Sequence, residues 1–302
     1  MHDWKKEVKK YIILIPLYND WKSVSKLLAE IDTIVNNWNA EVSVIIVNDA
    51  STEEKSGLNL KYKKIKSVKI LNMKKNRVHQ RCIAAGLKFI CKKEDFDRVI
   101  VMDADGEDRP EEINDFFKKA QEKPSMTITG NRFKRSEGIF FRILYNIHKL
   151  ITFVFTGKLI KFGNFSCLPR QHVEKLIEKP YLWNSYSSSV VRAIKDRTFI
   201  LSVRGFRYVL PSKMNLVGLV FHSLTIISVF RNLVIFRSII FIFIYLFLIF
   251  DNISTFTLLP IFFLILFVFY ILKLSMRANM KEFDKCLENI GSIDTLGNFN
   301  SR

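Results

Sequence analysis

The chain has 302 residues, enough for one large α/β domain with an appendage or for two domains. Its 47 Lys and Arg outnumber 29 Asp and Glu, and the formal charge of +18 points to anionic partners: nucleic acid, lipid headgroups or phosphorylated substrates. Four scattered cysteines (Cys82, Cys91, Cys167, Cys286) exclude a disulfide scaffold and lack Cys-x-x-Cys spacing, so they read as reduced cytosolic thiols.

The opening stretch MHDWKKEVKKYIILIPLYND is basic, but its apolar run is short and is broken by Pro16 and Asn19. No small-residue cleavage site follows, so it reads as a first strand rather than a signal peptide, which leaves the N-terminal domain in the cytosol. Tyr11–Ile15 is a solid apolar run, and Val24, Leu27, Leu28, Ile31 and Ile34 then recur at helical spacing. Val42–Val47 and Val68–Leu71 are further strands; Cys82, Ile83, Leu87 and Ile90 mark a helix; Val99–Met102 is a fourth strand. Continuous apolar strands alternating with amphipathic helices predict an α/β fold with a mostly parallel sheet covered on both faces. Ligands of such sheets gather at the carboxyl ends of the strands. The polar clusters Leu17–Asp20, Asn48–Ser51 and Asp103–Asp108 all fall there, so they are expected to line one crevice.

Residues 127–210 are more mixed, with a strand at Thr127–Phe133, a helix over Ile139–Phe155, a turn at Gly163-Asn164-Phe165 and a helix from Arg170. There are no tandem repeats and no low-complexity linker. From about Asn215 the character changes. Asn215–Arg231 reads as an amphipathic or interfacial helix; Leu233–Phe250 and Phe256–Leu272 are almost wholly apolar, separated by the polar break DNIST. As helices the two apolar runs span roughly 25–27 Å, marginal against a hydrocarbon core of about 30 Å unless flanking residues extend them and Arg237 snorkels. Lys213, Arg231, Arg237, Lys273, Arg277 and Lys281 lie on the open side of this hairpin, while its turn carries Asp251 and no Lys or Arg. The positive-inside rule therefore predicts both termini in the cytosol.

Asp103-Ala104-Asp105-Gly106-Glu107 is the sharpest chemical signal. Two carboxylates two residues apart, just past a buried strand, can converge on one hard cation, with Glu107 as a third oxygen donor. Alone, the segment could equally be an acidic turn before the helix that begins near Pro110-Glu111. Aspartyl-nucleophile phosphatases also use Asp-x-Asp, but after the first strand rather than the fourth.

In order and spacing, Ile15-Pro16-Leu17-Tyr18-Asn19-Asp20, Val47-Asn48-Asp49-Ala50-Ser51 and the Asp-Ala-Asp box resemble the inverting family 2 glycosyltransferases of GT-A fold, a Rossmann-like mostly parallel sheet with helices on both faces. Asn76-Arg77-Val78-His79-Gln80 followed by Ala84-Ala85-Gly86-Leu87, the extended box Asp105–Glu111, Gly163-Asn164-Phe165 and Pro211-Ser212-Lys213-Met214 are similar to landmarks of polyprenyl-phosphate sugar transferases, the dolichyl-phosphate mannose synthase type. Bacterial members also carry a two-helix C-terminal membrane hairpin.

The resemblance implies transfer of a hexose from a UDP- or GDP-sugar to a membrane polyprenyl phosphate, or to a surface glycan or lipid-linked oligosaccharide by the same fold. Pro16, Tyr18, Asp20, Asp49, Asp103, His79 and Gln80 would then serve the nucleotide sugar. Asp103, Asp105 and Glu107 would hold Mg²⁺ or Mn²⁺. Arg132, Lys134 and Arg135 would clamp an anionic acceptor or the leaving diphosphate, and Ser212 and Lys213 would stand at the membrane entrance. Asp105, Arg132 and Asn164 would be the catalytic group. The implied organisation is a GT-A domain over 1–212, a juxtamembrane amphipathic helix over 213–232, a transmembrane hairpin over 233–273 and a cytoplasmic tail over 274–302, integral to the cytoplasmic membrane.

Two positions depart from the family pattern. Asn48 replaces the usual first Asp of a pair, which leaves base recognition to Asp49. Asn164 stands where many relatives have an Asp proposed as base, and an amide takes no proton at neutral pH. A hydroxyl acceptor would suffer from that loss, typically by 10²–10⁴-fold. A phosphate monoester, with its second pKa near 6, is largely dianionic at pH 7 and needs only positioning and charge neutralisation. A nucleic-acid partner is not expected: the basic run at 61–69 (KYKKIKSVK) lacks interleaved aromatics apart from Tyr62 and any recognition motif. Oligomeric state is left open, a homo-oligomer included.

Overall fold

The computed structural model describes residues 8–58, 61–134, 139–209 and 216–296. Four strands, β1 (Lys9–Leu17), β2 (Ala40–Asn48), β3 (Ile65–Met73) and β4 (Arg98–Val101), pair in parallel in the order β4-β1-β2-β3. The period of two along β1 divides the interior. Tyr11, Ile13 and Ile15 face one core with α1 (Trp21–Ile34) and α3 (Ile113–Glu122), whereas Ile12 and Leu14 face a second core with α2 (His79–Lys93), α5 (Arg170–Ile177) and α6 (Tyr186–Ala193). α2 lies close on the sheet because Gly86 has no side chain: a Cβ there would collide with Leu14 Cδ1.

The remaining strands continue the same sheet. β5 (Thr127–Lys134) pairs with β6 (Ser166–Pro169) antiparallel and with β7 (Arg197–Val203) parallel, and β6 is antiparallel to β4. The full order is β7-β5-β6-β4-β1-β2-β3-β8, where β8 (Ile290–Leu296) closes the far edge antiparallel to β3.

That last strand corrects the expected tail over 274–302 and the end of the catalytic domain at 212. After the hairpin the chain returns through α10 (Met280–Asp284), buries Phe283 and Cys286 in the core beneath α2, and pairs β8 with β3. Burial of those side chains and satisfaction of the β3 edge hold the segment to the domain. Glu282 Oε1 also accepts from Arg77 Nη1 (2.9 Å) and Arg81 Nη1 (3.1 Å), and Lys88 donates to Asp284 Oδ1 (2.7 Å).

The apolar segments form α7 (Leu216–Ser228), α8 (Arg231–Leu248) and α9 (Thr255–Ser275). α8 and α9 are long and apolar enough to cross a membrane. Large side chains such as Phe236, Phe243, Phe247, Phe256 and Phe269 stand fully outward along them, an arrangement suited to lipid and costly in water. α4 (Ile139–Thr156) packs against α7 and α8, and Phe155 contacts the rings of Phe241 and Phe267. Arg237 does not simply extend toward the interface. Its Nη1 donates to the carbonyls of Val154 (2.9 Å) and Phe153 (3.4 Å) and its guanidinium lies over Gly157, whose φ of +65° ends α4. A cation thus caps the carbonyl end of that helix.

Candidate active site

The carboxyl ends of β1, β2 and β4 meet as the periodicity predicts. Asn19, in the left-handed region at φ +48°, joins the first two: its Oδ1 accepts from the N–H groups of Thr52 (2.7 Å) and Glu53 (3.1 Å). Tyr18 is exposed and Asp20 half-buried at the start of α1, while Pro16 is buried within β1 opposite Val47. Asp49 is buried, and each of its oxygens accepts a backbone N–H, Arg77 at 2.6 Å and Val78 at 2.9 Å. It thereby fixes the loop that opens α2, where Val78 sits at φ +75°. Asn48 takes a neighbouring task, accepting from Ser51 N and donating to Asn72 Oδ1.

That loop delivers His79 and Gln80 to the acidic box. His79 Nε2 lies 3.1 Å from Asp103 Oδ1, Asn164 Nδ2 donates to the same oxygen at 3.0 Å and lies 2.8 Å from the His79 ring, and Gln80 Nε2 donates to Asn164 Oδ1 at 3.2 Å. Gln80 Oε1 in turn accepts Tyr186 N at 2.7 Å, which locks the side chain from behind. Burial opposes the charge on both His79 and Asp103. Their mutual attraction wins, holding Asp103 well below the usual carboxylate range and raising His79.

The other carboxylates are shifted the opposite way. Asp105 is pushed up to about 6 by burial and by the charges of Asp103 and Glu107; Asp108, almost fully enclosed, is pushed up to about 7 by burial and Asp103. Asp108 accepts the backbone N–H of Asp103 at 3.0 Å and pairs with Arg132 at 3.1 Å, which brings Arg132 to the box. Lys134 ends β5; Arg135, Ser212 and Lys213 lie outside the described residues.

Two further arginines belong to the site and escaped the sequence reading. After β7 the chain folds over the box: Arg207 Nη2 meets Asp105 Oδ2 at 2.8 Å, Arg204 Nη2 meets Glu107 Oε2 at 2.5 Å, and Gly205 and Tyr208 donate backbone N–H groups to the carbonyls of Glu107 and Asp105. The Tyr208 ring covers Gly106, which adopts φ +86° and has no room for a Cβ. The signal was present in Ser202-Val203-Arg204-Gly205-Phe206-Arg207, two arginines just past a strand, but β7 itself was not recognised. Among the described residues, Arg207 Nε is buried without a hydrogen-bond partner.

The residue types suit a hard divalent cation, but among the described residues no three His, Cys, Asp or Glu side chains converge on one point as a ready-made cage. Asp103, Asp105 and Glu107 offer carboxylate oxygens on one turn, and the upward shift of Asp105 is the mark of negative charges crowded in low dielectric, which a dication would relieve. As placed, Asp105 and Glu107 are neutralised by Arg207 and Arg204 instead. A cation and the arginines therefore compete for the same oxygens unless an anionic ligand draws the guanidinium groups off.

Above the box lie the helices next to the hairpin. His222 of α7 feels both the His79 ring and the ring of His148 on α4; burial and those two rings push His222 down to about 4, and the charge of Asp103 opposes the shift. The outer faces of α4 and α7 expose Ile143, Ile147, Leu150, Phe153, Val217 and Val220.

The chain is similar to known proteins in sequence and in fold. The undecaprenyl-phosphate 4-deoxy-4-formamido-L-arabinose transferase of Salmonella choleraesuis is 25% identical over 174 residues, covering 57% of this chain and 51% of the relative. The protein of that name from Klebsiella pneumoniae is 24% identical over 194 residues, covering 64% of this chain and 57% of the relative. The chain therefore spans only about half the length of the curated relatives it matches. Among solved structures, glucosyl-3-phosphoglycerate synthase from Mycobacterium tuberculosis in complex with phosphoglyceric acid superposes with a TM-score of 0.50 at 11% identity, over 74% of this chain and 80% of that one, which shows a common fold. Residues 12–181 match the profile of Glycosyl transferase family 2. That match takes in more than half of the sequence, and the chain belongs to this family.

Proposed function

We propose that the protein is an inverting glycosyltransferase that moves a hexose from a UDP- or GDP-sugar to a membrane polyprenyl phosphate. One observation carries the choice of acceptor. His222 of α7 feels the charge of Asp103, and α4 and α7, whose outer faces are apolar, pack on a hairpin long enough to span a bilayer. An acceptor reaching Asp103 from that side arrives along the membrane surface. The names of the relatives, undecaprenyl-phosphate transferases, agree with this acceptor, although the sugar they name is an arabinose derivative, a pentose, rather than a hexose.

In the reaction the acceptor oxygen attacks the anomeric carbon from the side opposite the nucleotide, forming the new C–O bond as the bond to the diphosphate breaks. The electron pair leaves on the β-phosphate oxygen, and the configuration inverts. Asp103, Asp105 and Glu107 are the residues to hold Mg²⁺ or Mn²⁺, which when bound supplies positive charge for the departing diphosphate. Arg207, with its unpaired Nε, and Arg204 turn from the carboxylates to the diphosphate, and Arg132 supports the same charge from its pair with Asp108. Asn164, Gln80 and His79 keep Asp103 ionised and oriented. The polar ends of β1 and β2, with Tyr18, Asp20 and the loop organised by Asp49, form the nucleotide side.

The test is incubation of the detergent-solubilised protein with undecaprenyl phosphate and a panel of labelled UDP- and GDP-sugars, with and without Mn²⁺. The expected product is a mild-acid-labile glycosyl phospholipid, and Asp105→Ala should abolish it without loss of folded protein. Undiminished turnover by that variant would remove the metal assignment. Transfer to an oligosaccharide in preference to the lipid phosphate would replace the acceptor.

A further inference from the structure

A second basic site lies away from the acidic box, where the hairpin begins. A cleft of about 330 Å³ is lined by Lys158 just past α4, Arg192 at the end of α6, Lys195 and Arg197 at the start of β7, and Phe230 and Leu233 around the start of α8. That volume falls at the lower end of ligand clefts, ~300–1,000 Å³. Arg192 and Arg197 are held from behind, Arg192 by the Val229 carbonyl and the Tyr181 ring, Arg197 by the carbonyls of Val190 and Val191. Lys158 and Lys195 are exposed and form no ion pair among the described residues. Among the described residues no carboxylate lines the cleft; the adjacent Asp196 lies outside its lining.

Two features say which anion fits. The first turn of α8 carries no side-chain cap; the Leu233 N–H already donates to the Phe230 carbonyl, and the N–H groups of Arg231 and Asn232 before it add to the positive potential. From Leu233 at the rim, Phe236 and Ile240 continue as an exposed apolar stripe at helical spacing along α8. The cleft thus joins a cationic cup to an apolar track at the depth where α8 leaves the headgroup layer, the pattern of a basic pocket at the cytoplasmic mouth of membrane helices. We infer that this cleft binds the headgroup of an anionic glycerophospholipid, with an acyl chain along Leu233, Phe236 and Ile240. The site is separate from the reaction. β7 runs from Arg197 at the cleft to Val203, just before Arg204 at the carboxylates, a path of roughly 20 Å at ~3.3 Å per residue. The inference rests on α8 entering a bilayer.

The test uses the purified full-length protein in neutral detergent and follows thermal unfolding with dioctanoyl phosphatidylglycerol, dioctanoyl phosphatidylcholine, undecaprenyl phosphate or inorganic phosphate. Phosphatidylglycerol should raise the melting temperature in a saturable way, and phosphatidylcholine and inorganic phosphate should not. Lys158→Gln with Lys195→Gln should raise the half-saturating phosphatidylglycerol concentration about thirtyfold, at ~1 kcal/mol for each surface cation. The unliganded melting temperature and sugar transfer should stay unchanged, since both lysines are exposed and outside the catalytic group. An equal response to inorganic phosphate, undiminished stabilisation of the double variant, or an undecaprenyl phosphate response lost with these lysines would each overturn the assignment. Carbonate extraction of wild-type membranes reads the insertion of α8 and α9 separately, so a failed cleft is distinguishable from a hairpin that does not enter the bilayer.

Discussion

Asn164 holds three side chains in register: it donates to Asp103 Oδ1, accepts from Gln80 and lies against His79. An aspartate at this position would remove the donor and set a second carboxylate about as close to Asp103 as the amide is now. The cost should be ~1–3 kcal/mol for an unsatisfied or opposed buried group. With a lipid phosphate as acceptor there is no proton to remove, so Asn164→Asp should lower kcat at pH 7 by about tenfold or more. A rise in kcat would instead reveal a hydroxyl acceptor waiting for a base. The sequence made this position visible because it departs from a family pattern, but its partners were not visible, since residues 79, 80, 103 and 164 meet only when α2, β4 and β6 are assembled. Asp49 illustrates the same limit. Its strand-end position was legible, but the two backbone N–H groups that claim its oxygens belong to a loop 28 residues later.

The strands and helices of the first half were legible as elements because each buried strand is a continuous apolar run and each helix shows one apolar face. β6 has only four residues, and β7 and β8 alternate or mix polar with apolar side chains as edge-proximal strands do, so neither gave a solid run. The C-terminal segment was the larger surprise. Its anchor is Phe283, fully buried beneath α2, the helix whose first turn carries His79 and Gln80. Phe283→Ala should cost ~3–5 kcal/mol, whereas Phe283→Leu, which keeps most of the volume, should cost far less. Thermal unfolding in detergent would order the proteins as wild type, Leu, Ala, and sugar transfer should fall in the same order as α2 loosens. If the alanine variant melted like wild type, the segment would not be part of the domain's core.

At the scale of the whole molecule, β8 decides where the hairpin can go. The chain leaves the domain at α7, runs out along α8, returns along α9 and adds its last strand to the sheet in which it began. Both ends of the hairpin are therefore on the side of the catalytic domain; the charge pattern, with Lys273, Arg277 and Lys281 against a turn carrying Asp251, makes the cytosol the expected side. α8 has 18 residues and α9 has 21, about 27 and 31 Å at ~1.5 Å per residue, close to a hydrocarbon core of ~30 Å. If both cross, the exposed Ile253 at the turn lies on the opposite side of the membrane from the exposed Lys281. With the half-buried Cys91 replaced by Ser, and Cys82, Cys167 and Cys286 buried, single cysteines at these two positions can be probed separately. A membrane-impermeant maleimide should label Ile253→Cys in right-side-out vesicles and Lys281→Cys only in inverted ones, which also tests the cytosolic placement of the domain. Labelling of both from one side would mean that the hairpin dips into a single leaflet. The acceptor could still reach the site along the surface, but the exposed phenylalanines of α8 and α9 would then have to be covered within that leaflet.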